Sequence, residues 1–220
     1  MADVVELPRT SIDVTASLNT FEVGTYEQVI DGIRAWKLPE DLDRYARVIE
    51  STRPEVLIET GTKWGGSALW FEGLGLDVVT IDIEADSSRR AKLLDSRVIW
   101  ITGSSTDPAV VARIAVLVAG RRVMVSLDAE HAAPHVAAEI LAYGPLVSPG
   151  CYLVVEDGIF DLTNDEALRA RGGRSIPSVG GPLHAISQTL ASDAGWVRDE
   201  DIERLYPVSH HPAGWWVRRA

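Results

Sequence analysis

The chain has 220 residues, of which 46% are hydrophobic, and a formal net charge of −11; this suits one fully cored domain and argues against disorder. The surplus of acid also argues against nucleic acid or an anionic membrane as partner, because counterion release needs a basic face. A single cysteine, Cys151, leaves no intrachain disulfide. With no basic N-terminal segment ahead of an apolar run and no stretch near the ~18 apolar residues of a membrane span, a reducing cytoplasm is the expected location.

Residues 1–22 lack clear periodicity and read as an N-terminal arm or cover, leaving residues 23–220 as one domain. From 26 to 52, Val29, Ile30 and Ile33, then Leu42, Tyr45, Ala46, Val48 and Ile49, fall at helical spacing with Pro39 as a start signal, which predicts two helices. Strand-like runs follow at 55–60, 77–83, 97–102, 123–128 and 152–157, with helical segments at 108–119 and 132–146. This alternation predicts an α/β fold, a doubly wound and mainly parallel sheet. The Gly-, Ser- and Arg-rich stretch 161–182 reads as a surface loop that closes over a substrate, with Arg169, Arg171 and Arg174 available to a polar acceptor. Pro182 opens a further helix, and Gly214–Arg219 reads as an antiparallel C-terminal edge strand.

Two of these strands end in chemistry. Val123–Leu127 runs into Asp128, with His131 three residues on, and Tyr152–Val155 runs into Glu156 and Asp157. Neighbouring strands lie roughly 4.8 Å apart, so adjacency of the two would gather three carboxylates and an imidazole at the sheet edge where open α/β sheets bind ligands. Oxygen donors without clustered cysteines favour a hard cation, Mg²⁺ first and Mn²⁺ or Ca²⁺ after it. Asp128, Glu156 and Asp157 are thus the candidate metal ligands. His131 is the candidate base and His135, one turn further along a helix, the second choice.

The loop Thr60–Ser67, with glycines at 61, 65 and 66, follows the first strand of the alternating pattern and opens a helix, where a backbone can approach a ligand closely. It matches neither Gly-x-Gly-x-x-Gly nor the phosphate-binding Gly-x-x-x-x-Gly-Lys-Ser/Thr, which favours a nucleoside without a phosphate chain. Asp82 ends the next strand, where an acid accepts from ribose hydroxyls.

Together these residues resemble the class I S-adenosylmethionine-dependent methyltransferases, and in particular the cephalosporin hydroxylase family, which includes rhamnosyl O-methyltransferases. The matching pieces are Ile58–Thr62 with Gly65–Ser67, Gly103–Ser105, Leu127–Asp128 with His131 and His135–Val136, Leu146–Gly150, Tyr152–Gly158, Gly181–Leu183 and His211–Trp215. The resemblance implies a Rossmann-like fold with S-adenosylmethionine (SAM) and Mg²⁺ as cofactors. Glu59, Gly61 and Ser67 would lie at the methionine part of SAM, Asp82 at the ribose, and Gly103, Ser104 and Ser105 near the adenine; Asp128 would border cofactor and metal alike. It further implies methylation of a hydroxyl on a sugar, a mannoside or rhamnoside, carried as a small molecule or oligosaccharide, with Asp128 and His131 in the catalytic role and a homodimer or higher homo-oligomer as the assembly. A phenol-directed O-methyltransferase is the nearest rival; an iron-dependent hydroxylase, which would need two histidines and one carboxylate, and a non-catalytic nucleoside-binding module rank lower. Of the seven Trp residues, Trp64, Trp215 and Trp216 are the expected ligand contacts, and His184, His210 and His211 are candidates to line the acceptor pocket.

Overall fold

In the computed structural model, residues 6–84, 96–163 and 179–220 are described. The chain enters through helix α1 (Val14–Val23) and a hairpin of β1 (Glu27–Ile30) and β2 (Ile33–Trp36), then helix α2 (Pro39–Thr52). The alternating part follows: β3 (Val56–Thr60), α3 (Gly66–Gly73), β4 (Asp77–Asp82), β5 (Ile99–Thr102), α4 (Pro108–Leu117), β6 (Val123–Leu127), α5 (Ala133–Tyr143) and β7 (Tyr152–Val155). Helix α6 (Pro182–Gln188), β8 (Trp196–Arg198), α7 (Glu200–Glu203) and β9 (Trp215–Arg218) close it. The main sheet has the order β5-β4-β3-β6-β7-β9-β8. The first five of these are mutually parallel, and β9 runs antiparallel to both β7 and β8. The expected doubly wound α/β sheet is present, and its C-terminal strand is antiparallel as expected, although the edge itself is taken by β8, outside β9.

The direction of winding reverses between β3 and β6, and at such a switch point the loops leaving two neighbouring strands part and leave a crevice. Both faces of the sheet are covered, which is why the central strands are apolar at successive positions. Val56, Ile58, Val123, Val125 and Leu127 face Ile114, Val136, Ile140, Leu183 and Ile186 of α4, α5 and α6. Leu57, Val78, Met124 and Val154 face Tyr45, Val48, Ala68 and Phe71 of α2 and α3. Each fully buried Leu, Ile, Val or Met contributes about 1.5–3 kcal/mol, so the platform under the crevice is rigid.

The two-helix expectation for residues 26–52 holds only for its second half. Val29, Ile30 and Ile33 lie in the hairpin, not in a helix. Ile30 pairs with Ile33 across a two-residue turn of Asp31 and Gly32, both at positive φ (48° and 77°), the twist that joins antiparallel strands most tightly. The 1–22 stretch also carries more structure than its weak pattern suggests. Asp13 caps α1 by accepting from the Ala16 N–H, and Leu18 of this helix packs on Ile159 and Phe160. Arg169, Arg171 and Arg174 lie outside the described residues; at the flanks of the 161–182 stretch, Asp161 accepts from the N–H groups of Gly181 and Leu183, both at 2.7 Å.

Candidate active site

The face of the sheet covered by α2 and α3 changes character at its C-terminal end. Two residues beyond Leu57, Val78, Met124 and Val154, at the positions that face the same way, stand Glu59, Thr80, Ser126 and Glu156. All four are buried, and the strand register sets Glu59 opposite both Thr80 and Ser126. Polar atoms at such depth need partners, and they find them in one another. The Thr80 hydroxyl donates to Glu59 Oε2 at 2.6 Å, and the Ser126 and Tyr45 hydroxyls donate to Glu156 Oε1 at 2.6 and 2.8 Å. Lys37, between β2 and α2 and only 2% exposed, donates from Nζ to Glu156 Oε2 at 2.5 Å and to Asp128 Oδ2 at 2.6 Å.

Asp128, His131 and Asp157 form the cavity-facing half. Asp128 leaves β6 with its N–H on the Thr60 carbonyl at 3.1 Å. Gly61 makes that approach possible, since a Cβ there would lie 2.0 Å from the Asp128 carbonyl oxygen and its φ is +86°. Asp157 sits at φ +57°, a left-handed conformation uncommon outside Gly, Asn and Asp, and its N–H donates to His211 Nδ1 at 3.2 Å. His131 Nε2 lies 3.1 Å from Asp157 Oδ2 and 3.4 Å from Asp128 Oδ1.

Charge is nearly balanced across the cluster, and the ionisations follow. Burial pulls Lys37 down, but the charges of Asp128 and Glu156 overcome it and hold the ammonium well above its ordinary value. Burial likewise disfavours protonated His131, yet hydrogen bonds and charge from Asp128 and Asp157 push it up to about 10. Asp157 is held below the usual carboxylate range, burial being outweighed by His131, and Asp128 is lowered because Lys37 outweighs its burial. Glu59 goes the other way: desolvation, only partly offset by Lys37, raises it to about 7. Beneath the cluster, His211 Nε2 lies 3.2 Å from Glu156 Oε2 and 3.6 Å from Asp41 Oδ2. Asp41 pairs with fully buried Arg44, whose guanidinium also donates to the carbonyls of Ile202, Glu203, Tyr206 and Val208, fixing the segment that delivers His211.

A cavity of about 360 Å³ opens above these groups. Gly61, Ser67, Asp82, Asp128, His131 and Asp157 border it together, whereas Glu59, Glu156 and Gly103–Ser105 are not among its lining residues. The Asp82 carboxylate accepts from the N–H groups of Lys63 and Glu84 at 2.7 and 2.9 Å, holding the loop after β3 in place. Glu59 lies just below, with Oε1 buried and without a hydrogen-bond partner. Ser105 is buried, its Oγ 3.1 Å from His135 Nε2. That contact, with Glu139 Oε1 3.5 Å from the same nitrogen, turns His135, the second-choice base, to the adjoining loop, and it is not among the residues that line the cavity. The Ser104 hydroxyl turns to Thr106 at 3.1 Å.

An aromatic wall closes the cavity's other side, and most of it went unforeseen. Trp64 meets Trp36 edge-on at 4.5 Å between ring centroids, Trp36 meets Tyr26 at 5.7 Å, and Tyr26 meets Phe21 at 5.2 Å. Phe21 stacks on His210 at 4.3 Å, and Phe160 stands edge-on to His131 at 5.1 Å. Trp64 and His210 therefore border the cavity as expected. Trp215 and Trp216 do not, being buried in the two cores of the sheet. His211 lies beneath the carboxylates, and His184 contacts Asp161 at 2.9 Å; neither lines the cavity.

The donor set fits the cofactors expected of it. One atom each of Asp128, His131 and Asp157 lie within 4.8 Å of one another, so two carboxylates suited to a divalent cation stand beside an imidazole. The unpartnered Glu59 oxygen beside the Ser67 hydroxyl suits an ammonium such as that of an amino-acid moiety.

A sheet of this order with its cavity at the β3/β6 switch point defines the class I methyltransferase fold. Solved structures agree: CmcI-D160 with Mg and SAM has a TM-score of 0.55 at 18% identity, covering 88% of this chain and 77% of that one. The MycE methyltransferase of the mycinamycin pathway, in complex with Mg, S-adenosylhomocysteine (SAH) and mycinamycin VI, has 0.54 at 22%, covering 81% and 49%. The family model for rhamnosyl O-methyltransferase/CmcI matches residues 24–220, and the rhamnosyl O-methyltransferase of Mycobacterium tuberculosis H37Rv is 34% identical over 199 residues, 85% of this chain and 76% of the relative. The chain belongs to the rhamnosyl O-methyltransferase/CmcI family and is an O-methyltransferase.

Proposed function

We propose that the protein transfers the methyl group of SAM to a hydroxyl of a sugar, a rhamnoside or mannoside, with Mg²⁺ bound at the acidic cluster. The observation that carries this reading is one cavity in which the Gly61, Ser67 and Asp82 loops, the Asp128–His131–Asp157 group and the aromatic wall face each other. When bound, SAM supplies an electrophilic methyl on sulfur, and the divalent ion supplies positive charge beside the acceptor oxygen. Glu59 and Ser67 would take the cofactor's amino-acid end and Asp82 its ribose. Trp36 and Tyr26 offer flat apolar faces to the pyranose and help keep water from the donor. Asp128 and Asp157 hold the metal and orient His131 between them.

The acceptor hydroxyl needs to lose its proton as its oxygen forms the new bond to carbon while the carbon–sulfur bond breaks, its electron pair leaving with sulfur. His131 Nε2 is the receiving atom. In the arrangement described, two carboxylates push its pKa up to about 10, so at neutral pH it keeps its own proton. A cation held by Asp128 and Asp157 would take up the charge that favours the imidazolium, so that its proton could pass to solvent and the neutral imidazole could act as base. The acceptor is tested by measuring turnover on matched panels of rhamnosides, mannosides and catechols. Methylation confined to the sugars is expected, and a preference for catechols would replace the sugar reading with a phenol-directed one.

A further inference from the structure

We infer that Lys37 is a built-in counter-cation of the acidic cluster, which competes with the divalent ion for Asp128 and Glu156 and thereby sets how tightly the metal is held. The inference rests on the metal-binding part of the reading above. Lys37 is 2% exposed and its Nζ makes short contacts to one oxygen of each acid, Asp128 Oδ2 at 2.6 Å and Glu156 Oε2 at 2.5 Å. The second Glu156 oxygen is already taken by the Tyr45 and Ser126 hydroxyls, so every acceptor atom of Glu156 is engaged without a metal. Asp128 Oδ1 is left to the cavity side, with His131 and Asp157.

Two cations that share the same carboxylates repel each other, and a site this buried screens that repulsion poorly. A divalent ion therefore either remains at the cavity-facing oxygens of Asp128 and Asp157 or takes Glu156 by driving the Lys37 ammonium off it. On either course Lys37 weakens the binding. It also makes the empty cluster tolerable, because without it Glu156 would be buried near Glu59 with no ammonium partner and Asp128 would be left with His131 alone.

The test is titration of the intact protein with Mn²⁺ alone, followed by calorimetry or by the loss of the free-ion spin-resonance signal, on wild type and Lys37→Met. Tightening by about tenfold or more in Lys37→Met is the expected result, and metal binding by the variant alone would mark full displacement of the metal by Lys37 in the wild type. Equal affinities, or weaker binding by the variant, would overturn the inference while wild-type binding leaves the metal-dependent reading standing. Absence of binding by both would overturn the two together. Should Lys37→Met not fold, the Nζ resonance of Lys37 in ¹⁵N-lysine-labelled wild type decides: it is expected to shift on Mg²⁺ saturation, and an unmoved resonance would overturn the inference.

Discussion

Glu156 and Asp157 are chain neighbours, yet they belong to two different halves of one cluster. Glu156 continues the inward-facing row of β7, is 1% exposed, and spends both oxygens on Tyr45, Ser126 and Lys37. Asp157 turns through a left-handed residue into the cavity, where its carboxylate meets His131. Apart from Glu59 Oε1, the carboxylate oxygens of the inner half are satisfied from within, and it resembles a structural core with charges in it. The outer half keeps its oxygens toward the cavity, where a substrate or ion can reach them. A pair of adjacent acids thus divides between holding the site together and presenting it, and the two roles predict different responses to mutation.

The largest effect is expected in the outer half. His131→Gln should lower kcat by about 10²- to 10⁴-fold while SAH affinity, read by calorimetry, changes little. In the inner half the loss should be of stability. Glu156→Ala leaves Lys37 with a single carboxylate partner, and urea unfolding should show a loss of about 3–5 kcal/mol; an equally large loss for Asp157→Ala would erase the distinction between the halves.

Glu59 gives a pH test of the inner row. Its folded-state pKa of about 7 lies above the ordinary 4.5, so the neutral form favours folding. That stability is fully present below the unfolded value and is lost as pH rises through the folded one. Glu59→Gln should therefore gain on the wild type by on the order of 1–3 kcal/mol between about pH 4.5 and pH 8, and parallel stability curves would contradict the assigned burial effect. The smallest effect belongs to the wall: Trp36 is 38% exposed, and Trp36→Ala should raise KM for the sugar by about fivefold to tenfold with unfolding nearly unchanged.

Much of the platform was legible because buried parallel strands are apolar at consecutive positions. The five runs from Glu55 to Asp157 stand out for that reason, and the acids at the ends of three of them, Asp82, Asp128 and Glu156-Asp157, are visible as departures from it. Residues 26–36 read as helix because Val29, Ile30 and Ile33 fall at helical spacing, whereas in the hairpin the adjacent Val29 and Ile30 face opposite sides and Val29 is exposed; the Asp31-Gly32 pair is the deciding signal, since both residues adopt the positive φ of a tight hairpin. Lys37 could not be singled out locally, for a lone lysine after a tryptophan usually reads as surface. Its partners did leave a trace. Glu59, Thr80, Ser126 and Glu156 each follow an apolar residue on the face toward α2 and α3, the first three in register and Glu156 two residues further along its strand, and such a run of polar residues marks a buried polar site. The aromatic wall needed tertiary structure, because Phe21, Tyr26, Trp36 and Phe160 meet only when α1 and the hairpin fold across the sheet.

The most direct test of the reaction is transfer of labelled methyl from SAM to a rhamnoside or mannoside, run with Mg²⁺, with chelator, and with His131→Gln. The account predicts label in the sugar with Mg²⁺ and its loss under the other two conditions. Transfer that is indifferent to both, or SAM binding with no sugar methylated, would contradict it.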